Sequence, residues 1–160
     1  MESIYTHSAA LDYDLKLPEG TVWSFSIEDK TALIALHRIR IPDKIHEFLR
    51  RRASYRPRHR FPYEKMLDST YGMLVYCEQI QQLAKEVAGL SEEESRILMD
   101  ASSKMKKQKL DTLKPGFIDG ALKNGRSPKE AEACWHLLET KGWYTFPKKY
   151  ALPLANSMVD

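Results

Sequence analysis

The sequence predicts an α+β domain that is predominantly helical: a small amino-terminal β-hairpin, then a bundle of about four helices with an extended carboxyl-terminal tail. Three observations carry this. Trp23, Phe25 and Ile27 alternate with Ser24 and Ser26, the period of a strand. From Met66 to Val87 the apolar residues step by three and four, the period of a helix. Two helix-start signals follow, Ser91 with Glu94 and the tetrapeptide Ser127-Pro128-Lys129-Glu130.

A chain of 160 residues, 42% of them hydrophobic, is long enough to bury one core. The expected organisation is an extended arm over residues 1–20 and a single compact domain over 21–160. The arm mixes aromatics and acids without a period and closes at Pro18 and Gly20. The hairpin then pairs the strand around Trp23 with the partly alternating run Thr31 to Ile41, across a turn at Glu28 to Lys30. That run is short and apolar, and Ala32 to Leu36 would equally open a helix. Pro42 ends it, and Ile45, Phe48 and Leu49 then fall at helical spacing in a short amphipathic helix to Arg52. Pro57 and Pro62 make the next stretch an irregular loop.

From Tyr63 the longest helical pattern runs to a glycine stop at Gly89. The capped helix from Ser91 carries Ile97, Leu98, Ala101 and Met105 on one face and should pack antiparallel to it. A short helix over Phe117 to Asn124, a turn at Gly125 and the helix from Pro128 to Lys141 have the outline of a helix-turn-helix, with Arg126, Ser127 and Lys129 at its front. Glu130, Glu132 and Glu139 count against base reading there. Trp143 to Leu154 reads as the extended tail.

Charge is the strongest functional signal. Eight of the ten arginines lie between His37 and Arg60, where nine basic residues face only Asp43 and Glu47, a net +7; the remaining residues net −4. Such a field attracts polyanions over roughly 8 Å at physiological salt. Arg50, Arg51, Arg52, Arg56, Arg58, His59 and Arg60 are interleaved with Tyr55, Phe61 and Tyr63, which pairs cations for phosphates with rings for bases, as single-strand binders do. Lys104, Lys106, Lys107 and Lys109 form a second basic strip. The first three arginines also suit a helix carboxyl end, where cations offset the dipole. The favoured reading is a non-catalytic nucleic-acid-binding accessory or regulatory protein acting on DNA or RNA through residues 37–63. The alternative is an interaction module, such as an inhibitor, immunity factor or adaptor, that grips an acidic protein through the same segment.

Other classes find less support. There is no paired-carboxylate metal motif, phosphate-cradling glycine loop or flanked Ser or Cys nucleophile, so the sequence points away from an enzyme and calls for no cofactor or metal. His37, His46 and His59 lie among positive charges that favour the neutral imidazole, which would suit one of them to act as a general base, but no spacing enforces that role. Cys77 and Cys134, both inside helical patterns, read as buried thiols in a reducing compartment. With no apolar run near 18 residues and no signal peptide, a cytoplasmic protein without membrane contact is expected. A homodimer is compatible with all of this.

Overall fold

Helices are the regular elements of residues 8–158, the part of the chain described by the computed structural model, and among those residues there is no β-sheet. The order is α1 (Ser8–Asp14), α2 (Ile27–Arg38), α3 (Pro42–Ser54), a 3-10 helix (Pro62–Thr70), α4 (Cys77–Ala88), α5 (Glu92–Ser103), α6 (Lys107–Lys123), α7 (Pro128–Lys141), a 3-10 turn (Gly142–Tyr144) and α8 (Lys148–Asn156). The only strand-like pairing among the described residues is an isolated parallel bridge between Tyr76 and Phe146.

The expected β-hairpin is therefore overturned. Its second strand is α2, which starts where Ser26 accepts the Asp29 N–H on its hydroxyl. Residues 31–36 are buried on every side of that helix. A helix with no polar face loses the 3.6 period, so its sequence imitates a strand. The other half of the hairpin is a series of turns in which Val22 and Phe25 point inward and Trp23 is 59% exposed. Of the predicted arm, residues 1–7 lie outside the described part. Beyond them Leu11 is fully buried, and the Asp12 carboxylate accepts the Gly20 and Val22 N–H groups at 2.9 and 2.8 Å.

Three further boundaries differ. The long helix expected from Tyr63 is interrupted: the 3-10 helix ends at Tyr71 and Gly72, both left-handed at φ 56° and 81°, and α4 starts only at Cys77. The short helix at Phe117 is the second half of α6, which continues through Pro115 at the loss of one backbone hydrogen bond. The predicted extended tail is a 3-10 turn followed by α8, whose Ala151 and Ala155 are buried against the core that α2 builds.

Two apolar clusters result. In one, α2, α3 and α8 surround Phe48, Leu33, Leu36 and Tyr144; in the other, α4, α5, α6 and α7 surround Ile80, Leu83, Phe117 and Trp135. The extended stretch Met73 to Tyr76 stitches them together, with Met73 and Val75 facing the first and Leu74 the second. Gln79 holds this stretch straight: its Oε1 accepts the Val75 and Tyr76 N–H groups at 2.7 and 2.8 Å, while its Nε2 donates to Thr70 at 2.9 Å. The arginine-rich segment spans the same junction, since α3 belongs to the first cluster and Tyr63 and Leu67 to the second.

The second cluster depends on a backbone-to-backbone approach of α6 and α4. A Cβ at Gly120 would stand 2.2 Å from the Ala88 carbonyl oxygen, which has no rotamer to escape into. Gly120→Ala should therefore destabilise the protein by about 2 kcal/mol in urea unfolding, the overpacking cost outweighing the helix propensity of alanine. A more stable variant would show that the helices part easily.

Candidate nucleic-acid interface

α3 delivers the first arginines. Pro42 opens the helix, Ile45 and Phe48 bury its inner face, and the residues between them are left outside. Arg50 is exposed with no carboxylate partner among the described residues. Arg51 is held: its Nε donates to Glu47 at 3.0 Å and its Nη1 to the Tyr71 carbonyl at 3.1 Å. Arg52 turns inward. Its Nε donates to Asp29 at 2.7 Å, its guanidinium lies 3.9 Å from the Phe25 ring centroid, and Tyr71 donates its hydroxyl to the same carboxylate at 2.8 Å. This clasp ties α2, α3 and the left-handed turn together.

The loop after α3 is organised by Asp68, which accepts the Tyr55 hydroxyl and sits 2.8 Å from His59 Nε2. Burial pushes the Asp68 carboxyl up, but donation by Tyr55 and His59 outweighs it and leaves the group below the usual carboxylate range. Burial, reinforced by that hydrogen bond, pushes the Tyr55 phenol up to about 12. With Tyr55 and His59 anchored, Arg56 and Arg58 stand on the rim of a cavity of about 210 Å³ that also includes Arg51 and Gly72. Among the described residues Arg56 donates only to the Tyr55 carbonyl, at 3.0 Å, and both arginines are exposed.

Around the second proline the rings separate in role. Tyr63 is buried, and its N–H donates to Glu130 of α7 at 3.0 Å; Glu130 also receives Arg126 Nη1 at 3.2 Å. Phe61 stacks on Tyr63, centroids 6.3 Å apart and planes 19° from parallel, and remains half-buried. Arg60 is exposed with its guanidinium 5.3 Å from the Phe61 centroid.

The lysine strip lies elsewhere. Lys104 and Lys106 converge on Asp100 at 2.8 and 2.7 Å, and Lys107 pairs with Asp111 at 3.7 Å. Lys109 is exposed and, with Lys106, Arg96 and Lys149, borders a groove of about 760 Å³ beside α4 and α5. This groove holds none of the arginines from Arg50 to Arg60, and the arginine cavity holds none of these lysines. Neither His37 nor His46 shares the His59 cavity; they border another, of about 470 Å³, near α1.

Sequence reasoning missed the acids that order this surface. Asp29, Asp68 and Glu130 are scattered along the chain, and none forms a motif with its cation. The one available signal is Asp29, three residues after an N-cap serine, a position whose carboxylate also suits the helix dipole.

An all-helical domain of two joined clusters that presents unpaired arginines at the junction defines a basic helical module. Residues 23–125 match the bacterial DNA polymerase III alpha subunit finger domain, and the chain belongs to that family. It is 35% identical over 136 residues to DNA polymerase III subunit alpha of Bacillus subtilis, which covers 83% of this chain and 12% of the relative. The subunit alpha of Caulobacter vibrioides is 33% identical over 132 residues, covering 81% and 12%, and that of Thermus aquaticus 33% over 132 residues, covering 78% and 11%. The chain thus spans about an eighth of the length of these relatives.

This membership corrects both functional expectations. The family is a domain of the bacterial DNA polymerase III alpha subunit, not an accessory or regulatory binder, inhibitor, immunity factor or adaptor. The reason for the error is physical: a polymerase module and a free-standing binder present the same cations to the same phosphates, and charge patterning does not encode what else is attached. No helix among the described residues is long and apolar enough to cross a membrane.

Proposed function

We propose that this chain holds DNA for a replicative polymerase in the cytoplasm, neutralising backbone phosphates with Arg50, Arg56, Arg58 and Arg60. One observation carries the reading: these four arginines are exposed and lack carboxylate partners among the described residues, within a chain of the finger-domain family. Arg51, Arg52, Tyr55, His59 and Tyr63 support them by fixing the loop, and Phe61 offers a ring beside Arg60. Lys104, Lys106, Lys107 and Lys109 act as a second strip in which phosphates compete with Asp100 and Asp111 for the first three. DNA synthesis is assigned to the whole subunit that the relatives represent. The reading requires neither an acidic protein partner nor a homodimer.

The test is DNA binding by anisotropy between about 50 and 200 mM salt, with Arg56, Arg58 and Arg60 replaced together by alanine. Loss of three phosphate contacts should flatten the slope of log affinity against log salt by about 2 on single-stranded DNA. An unchanged slope in a folded variant would remove these arginines from the interface.

A further inference from the structure

Beyond the arginine rim lies a second cleft, which Arg60 and Phe61 share with α7. It has a volume of about 450 Å³ and is formed by Arg60 and Phe61 on one side and Pro128, Lys129, Glu132 and Ala133 of α7 on the other. Resting on the reading above, we propose that this cleft takes an unpaired base of single-stranded DNA against Phe61, with Arg60 and Lys129 holding the flanking phosphates.

The three aromatics of the segment are not equivalent, and their differences select Phe61. Tyr55 is committed to Asp68 through its hydroxyl, and Tyr63 is buried with its backbone tied to Glu130. Phe61 alone borders the cleft, and its offset stack on the buried Tyr63 ring helps to hold it in place. A ring that is held in place loses little entropy when a base stacks on it.

Charge complementarity fixes the occupant. The cleft carries two cations, both exposed and neither paired with a carboxylate among the described residues. Its one acid, Glu132, is 3.2 Å from Lys114 and partly neutralised. Pro128 and Ala133 complete an apolar wall, which favours the face of a base over a further charge. A duplex offers paired base edges and no free face, so it gains the phosphate contacts but not the stacking. The commitment is therefore to a single strand.

The experiment compares oligo-dT with a duplex of equal length, using the full chain and the variants Phe61→Leu, Phe61→Trp and Lys129→Ala, each checked for helical circular dichroism. Loss of one stacked base should weaken oligo-dT binding by Phe61→Leu roughly 5- to 100-fold, with duplex affinity changed less than about twofold. Lys129→Ala should weaken both ligands and flatten the salt slope by about one phosphate. Phe61→Trp should keep the affinity and add a tryptophan emission that oligo-dT quenches.

Equal losses on duplex and single strand, or no loss on either, would overturn the base-stacking assignment while leaving the arginine reading intact. If Phe61→Leu does not fold, the tryptophan variant decides: added emission that oligo-dT leaves unquenched overturns it. Wild-type protein that binds neither DNA overturns both proposals.

Discussion

Arg52→Ala should lower the unfolding free energy by about 3 kcal/mol, because it strands the Asp29 carboxylate, only 4% exposed, with the Tyr71 hydroxyl as its remaining side-chain donor among the described residues. The figure is the lower end of what breaking a buried pair costs, since the Arg52 side chain is itself 33% exposed and Asp29 sits in the first turn of α2, where the helix dipole favours a negative charge. For a domain of this size it corresponds to a fall in Tm of about 6 to 12 °C. Losing the guanidinium over Phe25 removes packing as well as charge.

The functional side of the same variant separates it from its neighbours. At a temperature where Arg52→Ala remains folded, its DNA salt slope should match the wild type, whereas the Arg56, Arg58 and Arg60 variant should lose slope and keep stability. Urea unfolding and anisotropy on the same preparations check both. A stability loss below about 1 kcal/mol would mean that the clasp is no stronger than a surface ion pair. Combining Arg52→Ala with Asp29→Asn should cost less than the sum of the two, because each change removes the interaction with the other.

That contrast also explains what the sequence made legible. The run of arginines located the candidate surface, but burial, which sorts them, is not written in their identity. Arg50, Arg51 and Arg52 are consecutive and chemically alike; helix α3 rotates each by about 100°, so one faces solvent, one reaches Glu47 and the turn at Tyr71, and one enters the clasp with Asp29. Glu47 is a local partner, but Tyr71 and Asp29 lie about twenty residues away on either side, beyond the reach of local pattern. The helix starts at Ser91 and Ser127 were readable because capping is local, and both serines accept the N–H three residues on. The stretch from Tyr63 to Val87 kept its helical spacing while containing a break, because Met73 to Tyr76 distributes side chains to two clusters and still repeats an apolar residue every few positions. The α2 segment failed for the opposite reason, having no polar face to reveal its period.

Burial of ionisable groups sets a second large effect, at high pH. Desolvation raises the phenols of Tyr63, Tyr76 and Tyr144 well above their ordinary value of 10, and raises the Cys134 thiol above its ordinary 9. In the unfolded chain these groups lose their protons near the ordinary values, while in the folded protein they keep them. Above pH 10 the unfolded state therefore binds fewer protons, and stability falls with pH. The contribution is fully present below the ordinary values and is lost as pH climbs towards the folded ones. Each group withdraws up to about 1.4 kcal/mol per pH unit, so the three tyrosines should together remove about 3 kcal/mol between pH 10 and 11.

Urea unfolding at pH 8, 10 and 11, followed beside phenolate absorbance, measures this directly: the buried tyrosines should ionise only as the helices melt. Ionisation of all eight tyrosines near pH 10 in protein that stays folded would contradict it. Tyr144→Phe removes one titrating group from the first cluster, and should shrink the loss between pH 10 and 11 by about 1 kcal/mol, a third of the share that the three tyrosines carry. Because Tyr63 also carries the backbone tie to Glu130 behind Phe61, the proposed base-stacking cleft should fail along with the fold at this alkaline limit, not before it.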